Sequence, residues 1–388
     1  MAMARGNTAV DVRMMRLAHF EYLLANGIHT DEELLDFNEV YLGWKLVNRR
    51  SPFCPHHDPP ARFVTDQFFD RVKTCLGFAS RLAGKCLTGD SLVYDPRTGE
   101  RRSLARIVTE GESRPARILT MTPEGSITTG PITAVHDTGE NSCLRVRLAS
   151  GRTVTSTHEH PFLTASGWQR ADTLAVGDAV ATPSTLPPPT HPTPIPDAHI
   201  DLLAILLTEG CYTQSSTMFS TADVKIRRLM EDACRVAFVG VEVRYKNRYD
   251  YHLTRGHDRK GQPRVGPVRQ FLNAYGLAHE SAPYKRIPQA IFRLDAAQLA
   301  RFLSIFWMCD GYVSTKCAEI GLSSRQMVDD LQHLLLRLGV QSYVHSRGPR
   351  NHTVTVYAPA LAALAEHLEL WGRKGERLAV LASKKRRS

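Results

Sequence analysis

Ala79–Val93 reads A-S-R-L-A-G-K-C-L-T-G-D-S-L-V, and two patterns meet there at the bond between Lys85 and Cys86. To the left, A-S-R-L-A-G-K has the form of a phosphate-binding loop, with Ala79 where such loops begin with Gly. That loop needs Ser or Thr directly after its Lys to hold Mg²⁺. Cys86 stands there instead, so the loop is broken at its last position. To the right, C-L-T-G-D-S-L-V is a strand-like run opened by a cysteine. Taken alone, it also fits a buried structural cysteine, a common fate for that residue.

The 388-residue chain is long enough for two or three domains. Its formal net charge of +10 points to a polyanionic partner, with nucleic acid the first expectation. The 8 cysteines are scattered rather than packed into a small disulfide scaffold. M-A-M-A-R-G-N-T has no apolar signal core. The longest apolar runs, near Leu202–Leu207 and Phe302–Cys309, are too short to span a bilayer. A reducing cytoplasm and no membrane partner are the expectation.

Residues 1–85 read as mostly helical, then a loop and a strand. Helical spacing is visible in Met14-Met15, Leu17, Phe20, Leu23-Leu24 and again in Leu34-Leu35, Phe37, Val40-Tyr41. The prolines of S-P-F-C-P-H-H-D-P-P mark a loop. Its Cys54, His56 and His57 match no standard zinc spacing. Thr74–Ser80 runs apolar into the broken loop, the strand-then-loop order of an ATPase. No acidic strand for the metal and no base for water follow, so an ATPase is not expected from this piece.

Residues 86–182 read as β-rich, with D-P-R-T-G-E, T-P-E-G-S, D-T-G-E-N and A-S-G-R as turns. The chemistry follows from residue types. A thiol attacking its own preceding peptide carbonyl needs a proton donor for the departing nitrogen and donors for the oxyanion. Cys86 supplies the sulfur at the scissile Lys85–Cys86 bond. His160 is the expected donor to that amide nitrogen, since histidine titrates near neutrality; His158 is its rival. Thr157 is expected to hold the geometry or the carbonyl oxygen. Three residues from His160 on a straight strand, it would face away, so the chain must turn at E-H-P.

Three blocks in order, C-L-T-G-D-S-L-V, G-R-T-V-T-S-T-H-E-H-P-F-L with its T-x-x-H, and A-D-T-L-A-V-G-D-A-V with Gly177-Asp178, resemble an intein, the self-excising protein insert. The resemblance implies an all-β Hint horseshoe, as in hedgehog-type autoprocessing domains, and splicing without a cofactor. It also explains the broken loop, because splicing would deliver the missing hydroxyl residue. The stretch from Phe63-Val64 into that loop resembles a phage terminase large subunit. Residues 1–85 would then be its N-terminal fragment.

P-S-T-L-P-P-P-T-H-P-T-P-I-P-D-A-H, residues 183–199, reads as an extended, semi-rigid Pro-rich linker. Residues 200–388 hold a diverged repeat: L-L-A-I-L-L-T-E-G at Leu202–Gly210 and L-S-I-F-W-M-C-D-G at Leu303–Gly311. Small residues Ala204, Thr208, Ser304 and Cys309 suit two helices in close contact. Glu209 and Asp310 precede Gly210 and Gly311, which read as helix-terminating glycines. An acid at a helix C-terminus opposes the helix dipole, and repeating it suggests a cation site. Both segments resemble the signature helices of LAGLIDADG homing endonucleases. The resemblance implies a two-repeat α/β nuclease, monomeric, with double-stranded DNA as partner and Mg²⁺ on Glu209 and Asp310. Y-K-R-I-P-Q-A-I-F resembles the lysine block of intein endonucleases, which makes Lys285 a catalytic candidate; Lys374 is its looser symmetry mate.

Between the repeats, Arg244, Lys246, Arg248, Arg255, Arg259, Lys260, Arg264 and Arg269 alternate with tyrosines and are the expected DNA contacts, a solvated hairpin being the plain alternative. The tail S-K-K-R-R-S is expected to touch DNA without specificity. A splicing intein also needs a final His-Asn before Cys, Ser or Thr, and this sequence has none. A separate C-terminal half joined to the rest of the terminase is therefore one expected partner, beside a truncated gene or a trimmed chain. The competing reading is a cleavage-only autoprocessing domain whose decayed endonuclease serves as a DNA-binding module.

Overall fold

The computed structural model describes residues 21–23, 25–41, 86–110, 115–122, 124–132, 134–135, 137–213, 216–255, 266–277 and 279–383. The broken loop with Lys85, the Cys54/His56/His57 group, Phe63–Ser80 and the basic end beyond Ser383 lie outside them. In the N-terminal region, α1 (Asp31–Tyr41) follows a capping box. Thr30 Oγ1 accepts from Glu33 N, and Glu33 Oε2 accepts from His29 N and Thr30 N. Leu34 is buried beneath it, as the helical spacing predicts.

Alternating strand residues and glycine-bearing turns close four antiparallel hairpins in the β-rich region. They are β1 (Leu92–Tyr94) with β2 (Arg101–Ser103), and β3 (Arg117–Met121) with β4 (Ile127–Pro131). β5 (Cys143–Arg147) with β6 (Thr153–Thr157) and β7 (Pro161–Thr164) with β8 (Gly167–Arg170) complete the set. The short α2 (Leu104–Thr109) is capped by Ser103. Each strand pairs with its sequence neighbour, and single bridges tie the flanking segments to two of the hairpins, Leu87 to Ser156 on β6 and Val180 to Thr164 on β7. Among the described residues these strands form four small two-stranded sheets, and a horseshoe is not shown. The buried apolar cluster of this region is small: Ile107, Ile132 and Val135.

From Asp197 the repeat is laid out twice. α3 (Asp197–Thr208), β9 (Gly210–Cys211), β10 (Thr217–Ser220), α4 (Val224–Ala237), β11 (Val241–Asn247) and β12 (Asp250–Arg255) form the first copy. α5 (Pro267–Ala274) and α6 (Gln289–Phe292) follow. The second copy is α7 (Ala296–Asp310), β13 (Gly311–Val313), β14 (Cys317–Leu322), α8 (Arg325–Arg337), β15 (Tyr343–Ser346) and β16 (His352–Tyr357). α9 (Ala360–His367) and α10 (Gly372–Ser383) close the chain's described part. The sheet orders β11-β12-β10-β9 and β15-β16-β14-β13 are the same in the two copies. α3 and α7 pack against each other, with Ala204 and Ser304 buried in the core they share. A single apolar core runs from Ile200 to Leu381, each fully buried Leu or Ile contributing about 1.5–3 kcal/mol.

The Pro-rich stretch is extended but strapped down. Thr190 N and His191 N donate to Pro96 O and Arg97 O on the β1–β2 turn, and Leu186 N donates to Leu336 O on α8. That turn is itself keyed into the repeat unit. Arg101 and Asp330 form a salt bridge with only 10% and 3% of their side chains exposed, and Arg293 Nε donates to Glu100 Oε1 at 2.8 Å. A Cβ on Gly99 would lie 2.2 Å from Phe292 O, and one on Gly151 would lie 2.5 Å from Val344 O. No side chain fits at either joint. No helix among the described residues is long and apolar enough to cross a membrane.

Candidate functional sites

The segment opening at Cys86 lies antiparallel to β6. Thr157 N donates to Cys86 O at 3.0 Å, and Thr88 N donates to Thr155 O at 3.2 Å. This pairing turns the Cys86 amide N–H toward Thr157, whose Oγ1 accepts it at 3.2 Å. The sequence reading expected His160 at that nitrogen; Thr157 is a partner of it in the structure. The turn demanded by T-x-x-H is present, closed by His160 N donating to Thr157 O at 3.2 Å. It brings the His160 ring beside Phe162 and into the wall of a cavity of about 810 Å³ shared with Cys86 and Thr157. Val93, Leu104, Val108 and Ile118 form part of its apolar side. The rival His158 is hydrogen-bonded to Ser142 Oγ at 3.1 Å. A residue missed in the sequence, Thr138, donates its hydroxyl to Cys86 Sγ at 3.4 Å.

The second site lies where α3 and α7 end. Glu209 is the C-cap of α3 and Asp310 the last residue of α7. Burial, with the Asp310 charge adding to it, pushes the Glu209 carboxyl up to about 7. Burial likewise raises Asp310, against the pull of Lys285 and Lys374. The glycines that follow do not act as left-handed caps. Gly311 is extended (φ −77°, ψ 150°) and opens a strand directly. What both positions require is room: a Cβ would sit 2.3 Å from Leu206 O at Gly210 and 2.4 Å from Trp307 O at Gly311.

Each helix end is instead capped by a lysine. Lys285 Nζ donates to Leu206 O, Leu207 O and Gly210 O at 3.2, 3.0 and 2.7 Å, and lies 4.9 Å from the Tyr212 ring centroid. Lys374 Nζ donates to Trp307 O, Met308 O and Cys309 O at 3.3, 2.6 and 3.4 Å. Cations there complement the negative helix ends. Burial pushes Lys285 down to about 8 and also lowers Lys374. The looser symmetry mate is thus placed like Lys285. Two desolvated carboxylates, the Asp310 charge raising Glu209, fit a divalent cation, which takes few carboxylates and keeps other oxygen ligands. Among the described residues no group of three or more His, Cys, Asp or Glu gathers.

The basic residues fall in different places. Arg244 and Lys246 share the exposed face of β11, where Arg244 pairs with Glu242 and Lys246 Nζ lies 3.3 Å from Met218 Sδ. Arg248 sits at the turn at φ 41°, its guanidinium over Tyr249, and Arg255 ends β12. Arg269 lies on α5 and donates to Tyr212 O at 2.7 Å, which ties it to the site's backing. Arg259, Lys260 and Arg264 are outside the described residues.

Residues 297–382 match the family described as LAGLIDADG-like domain. The matched region is 86 residues of the 388. It spans α7 to α10, and the first copy shares its strand order. Over 324 residues the chain is 28% identical to Protein RecA of Mycobacterium tuberculosis, covering 76% of this chain and 40% of that protein. It is 24% identical over 298 residues to Replicative DNA helicase DnaB of a Synechocystis species, covering 71% of this chain and 33% of that one. The chain thus spans two fifths or less of the length of these relatives. A DnaB intein from Synechocystis is 28% identical over 25% of this chain and 67% of its own, with a TM-score of 0.23. I-DmoI in complex with DNA and Ca is 12% identical over 42% and 83%, with a TM-score of 0.31. The similarities are thus to inteins and to LAGLIDADG-like domains, the two families that the sequence motifs resemble. A terminase host is not shown.

Proposed function

We propose that the chain couples the N-terminal half of a protein-splicing reaction to site-specific cleavage of double-stranded DNA. The observation that carries the nuclease reading is the pair Glu209 and Asp310, one from each copy, brought together at the ends of two packed helices. A divalent cation held by these carboxylates, expected to be Mg²⁺, would neutralise charge and activate water at a phosphodiester. Lys285 and Lys374 hold the two helix ends and place positive charge beside the carboxylates. The exposed face of β11, with Arg244 and Lys246, supports phosphate contacts. The proposed target is the uninterrupted terminase sequence, since an allele carrying the insert is then spared. The test is cleavage of that joined sequence by purified protein with Mg²⁺. Glu209→Gln and Asp310→Asn should each abolish cutting and leave binding largely intact. No cutting by the wild type would favour the decayed endonuclease.

A specific observation favours splicing as well: Thr157 Oγ1 already accepts the amide hydrogen of the scissile bond. In the proposed step the Cys86 sulfur bonds to the Lys85 carbonyl carbon and the carbon–nitrogen bond breaks. The proton lost by the thiol is balanced by the one gained by the departing nitrogen, delivered by His160. The cavity's apolar wall is a surface that a separate C-terminal half would cover. Adding a small thiol should release residues 1–85. Cys86→Ala should stop the release and His160→Ala should slow it strongly; an intact chain under folding conditions would sink this reading.

A further inference from the structure

The D-T-G-E-N turn does more than reverse the chain. Asp137 Oδ1 accepts from Gly139 N at 2.9 Å, and Gly139 takes φ 70°, which folds the turn over Cys86. Thr138 Oγ1 then lies 3.4 Å from the sulfur. Behind it, Asn141 Nδ2 donates to Thr138 O at 3.2 Å and to both Thr138 Oγ1 and Gly139 O at 3.4 Å. Two backbone carbonyls therefore fix which end of the Asn141 amide faces Thr138. With a donor at its back, the Thr138 hydroxyl directs its hydrogen forward, and a sulfur that has lost its proton only accepts. Donors in series polarise one another.

We infer that Thr138 is a catalytic residue of the acyl shift that donates to the attacking sulfur, and that Asn141 is the positioning residue that orients it. The inference rests on the splicing reading above for its reaction, not for its geometry. Asp137, Glu140, Cys143 and His160 are the titratable groups that line the cavity with Cys86. A hydroxyl donor at the sulfur stabilises a thiolate without adding a charge of its own.

The test is alkylation of Cys86 by iodoacetamide in the full-length protein, followed by peptide mapping across pH. In Thr138→Val, which keeps the side chain's volume, the rate at pH 7 should fall about tenfold and rejoin the wild-type rate above pH 10. Thr138→Ser should stay within about twofold, and Asn141→Ala should slow the reaction about threefold at pH 7. Equal slowing of Thr138→Val at every pH would mean altered access, and no slowing would mean an idle contact; either overturns the inference. Release of residues 1–85 by added thiol is scored in parallel. If the pH signature appears but no variant and no wild type releases the fragment, the splicing reading fails while the Thr138 contact survives.

Discussion

Glu209→Gln is expected to stabilise the metal-free protein at pH 8, an outcome opposite to the usual effect of altering a buried hydrogen-bonding group. Folding raises the Glu209 carboxyl from 4.5 to about 7 by burial and by the Asp310 charge. Between those values the folded chain holds more protons than the unfolded one, so stability falls as pH rises through the window. A shift of that size corresponds to roughly 3 kcal/mol at about 1.4 kcal/mol per tenfold change in proton affinity. Glu209 is partly exposed, so solvent screening brings this to about 1.5 kcal/mol. The neutral amide removes the penalty. Its melting temperature in EDTA should exceed the wild type's by about 3–5 °C at pH 8, and the two should converge below pH 5. Saturating Mg²⁺ should raise the wild-type melting temperature at pH 8 and raise the variant's much less, because binding to the folded state alone stabilises it. Calorimetry with and without the metal reads all four values. A variant that melts below the wild type in EDTA at pH 8 would show that Glu209 holds the fold, and the metal-site reasoning would be refuted.

DNA cleavage should decline as pH rises through about 8, where Lys285 loses its charge, and Lys285→Met should remove that dependence in a kinetic pH profile. Lys374→Met should lower cleavage to a comparable degree, since Lys374 caps α7 as Lys285 caps α3; an unaffected variant would reduce it to a surface lysine. Gly311→Ala places a methyl 2.2 Å from Trp307 Cδ1. It should destabilise by about 1–3 kcal/mol in urea titration and displace Asp310 enough to suppress cutting. Arg101→Met leaves Asp330 buried and unpaired and should cost about 3–5 kcal/mol, with Asp330→Leu added on top recovering much of the loss.

What was readable in the sequence was local. L-L-A-I-L-L-T-E-G and L-S-I-F-W-M-C-D-G carry helix, small contact residues and terminal acid within nine residues, so the paired helices and Glu209/Asp310 could be read directly. The T-x-x-H spacing likewise implied its turn. Contacts made across long stretches of chain were not readable. Thr138 and Cys86 are 52 positions apart, and Thr138 lay inside a run whose glycine and asparagine already explained it as a turn. Lys374 was undervalued because its spacing differs from that of Lys285, although the two lysines share two equivalent carbonyls, Leu206 and Leu207 for one and Trp307 and Met308 for the other. The expected horseshoe depends on strands pairing across the region, which turn signals cannot specify. Gly210 and Gly311 were legible as glycines of consequence, but not as sites of crowding.

The joint between the β1–β2 turn and the repeat unit bears on how such an element ages. On the proposed nuclease reading, substituting a carboxylate would silence cutting and leave Arg101–Asp330 and the fit of Gly99 on Phe292 untouched. Excising the whole unit leaves Arg101 without its counter-charge and bares the surface that carries Cys86's neighbouring hairpin, whose apolar cluster among the described residues is small, built on Ile107, Ile132 and Val135. Once selection for DNA cutting lapses, point decay is therefore open to a lineage at little structural cost, while clean deletion requires repair of the joint in the same event. If the proposed functions hold, descendants of this chain are expected to keep the repeat unit as ballast for the β-rich region, with position 209 or 310 altered and residues 99–101 retained.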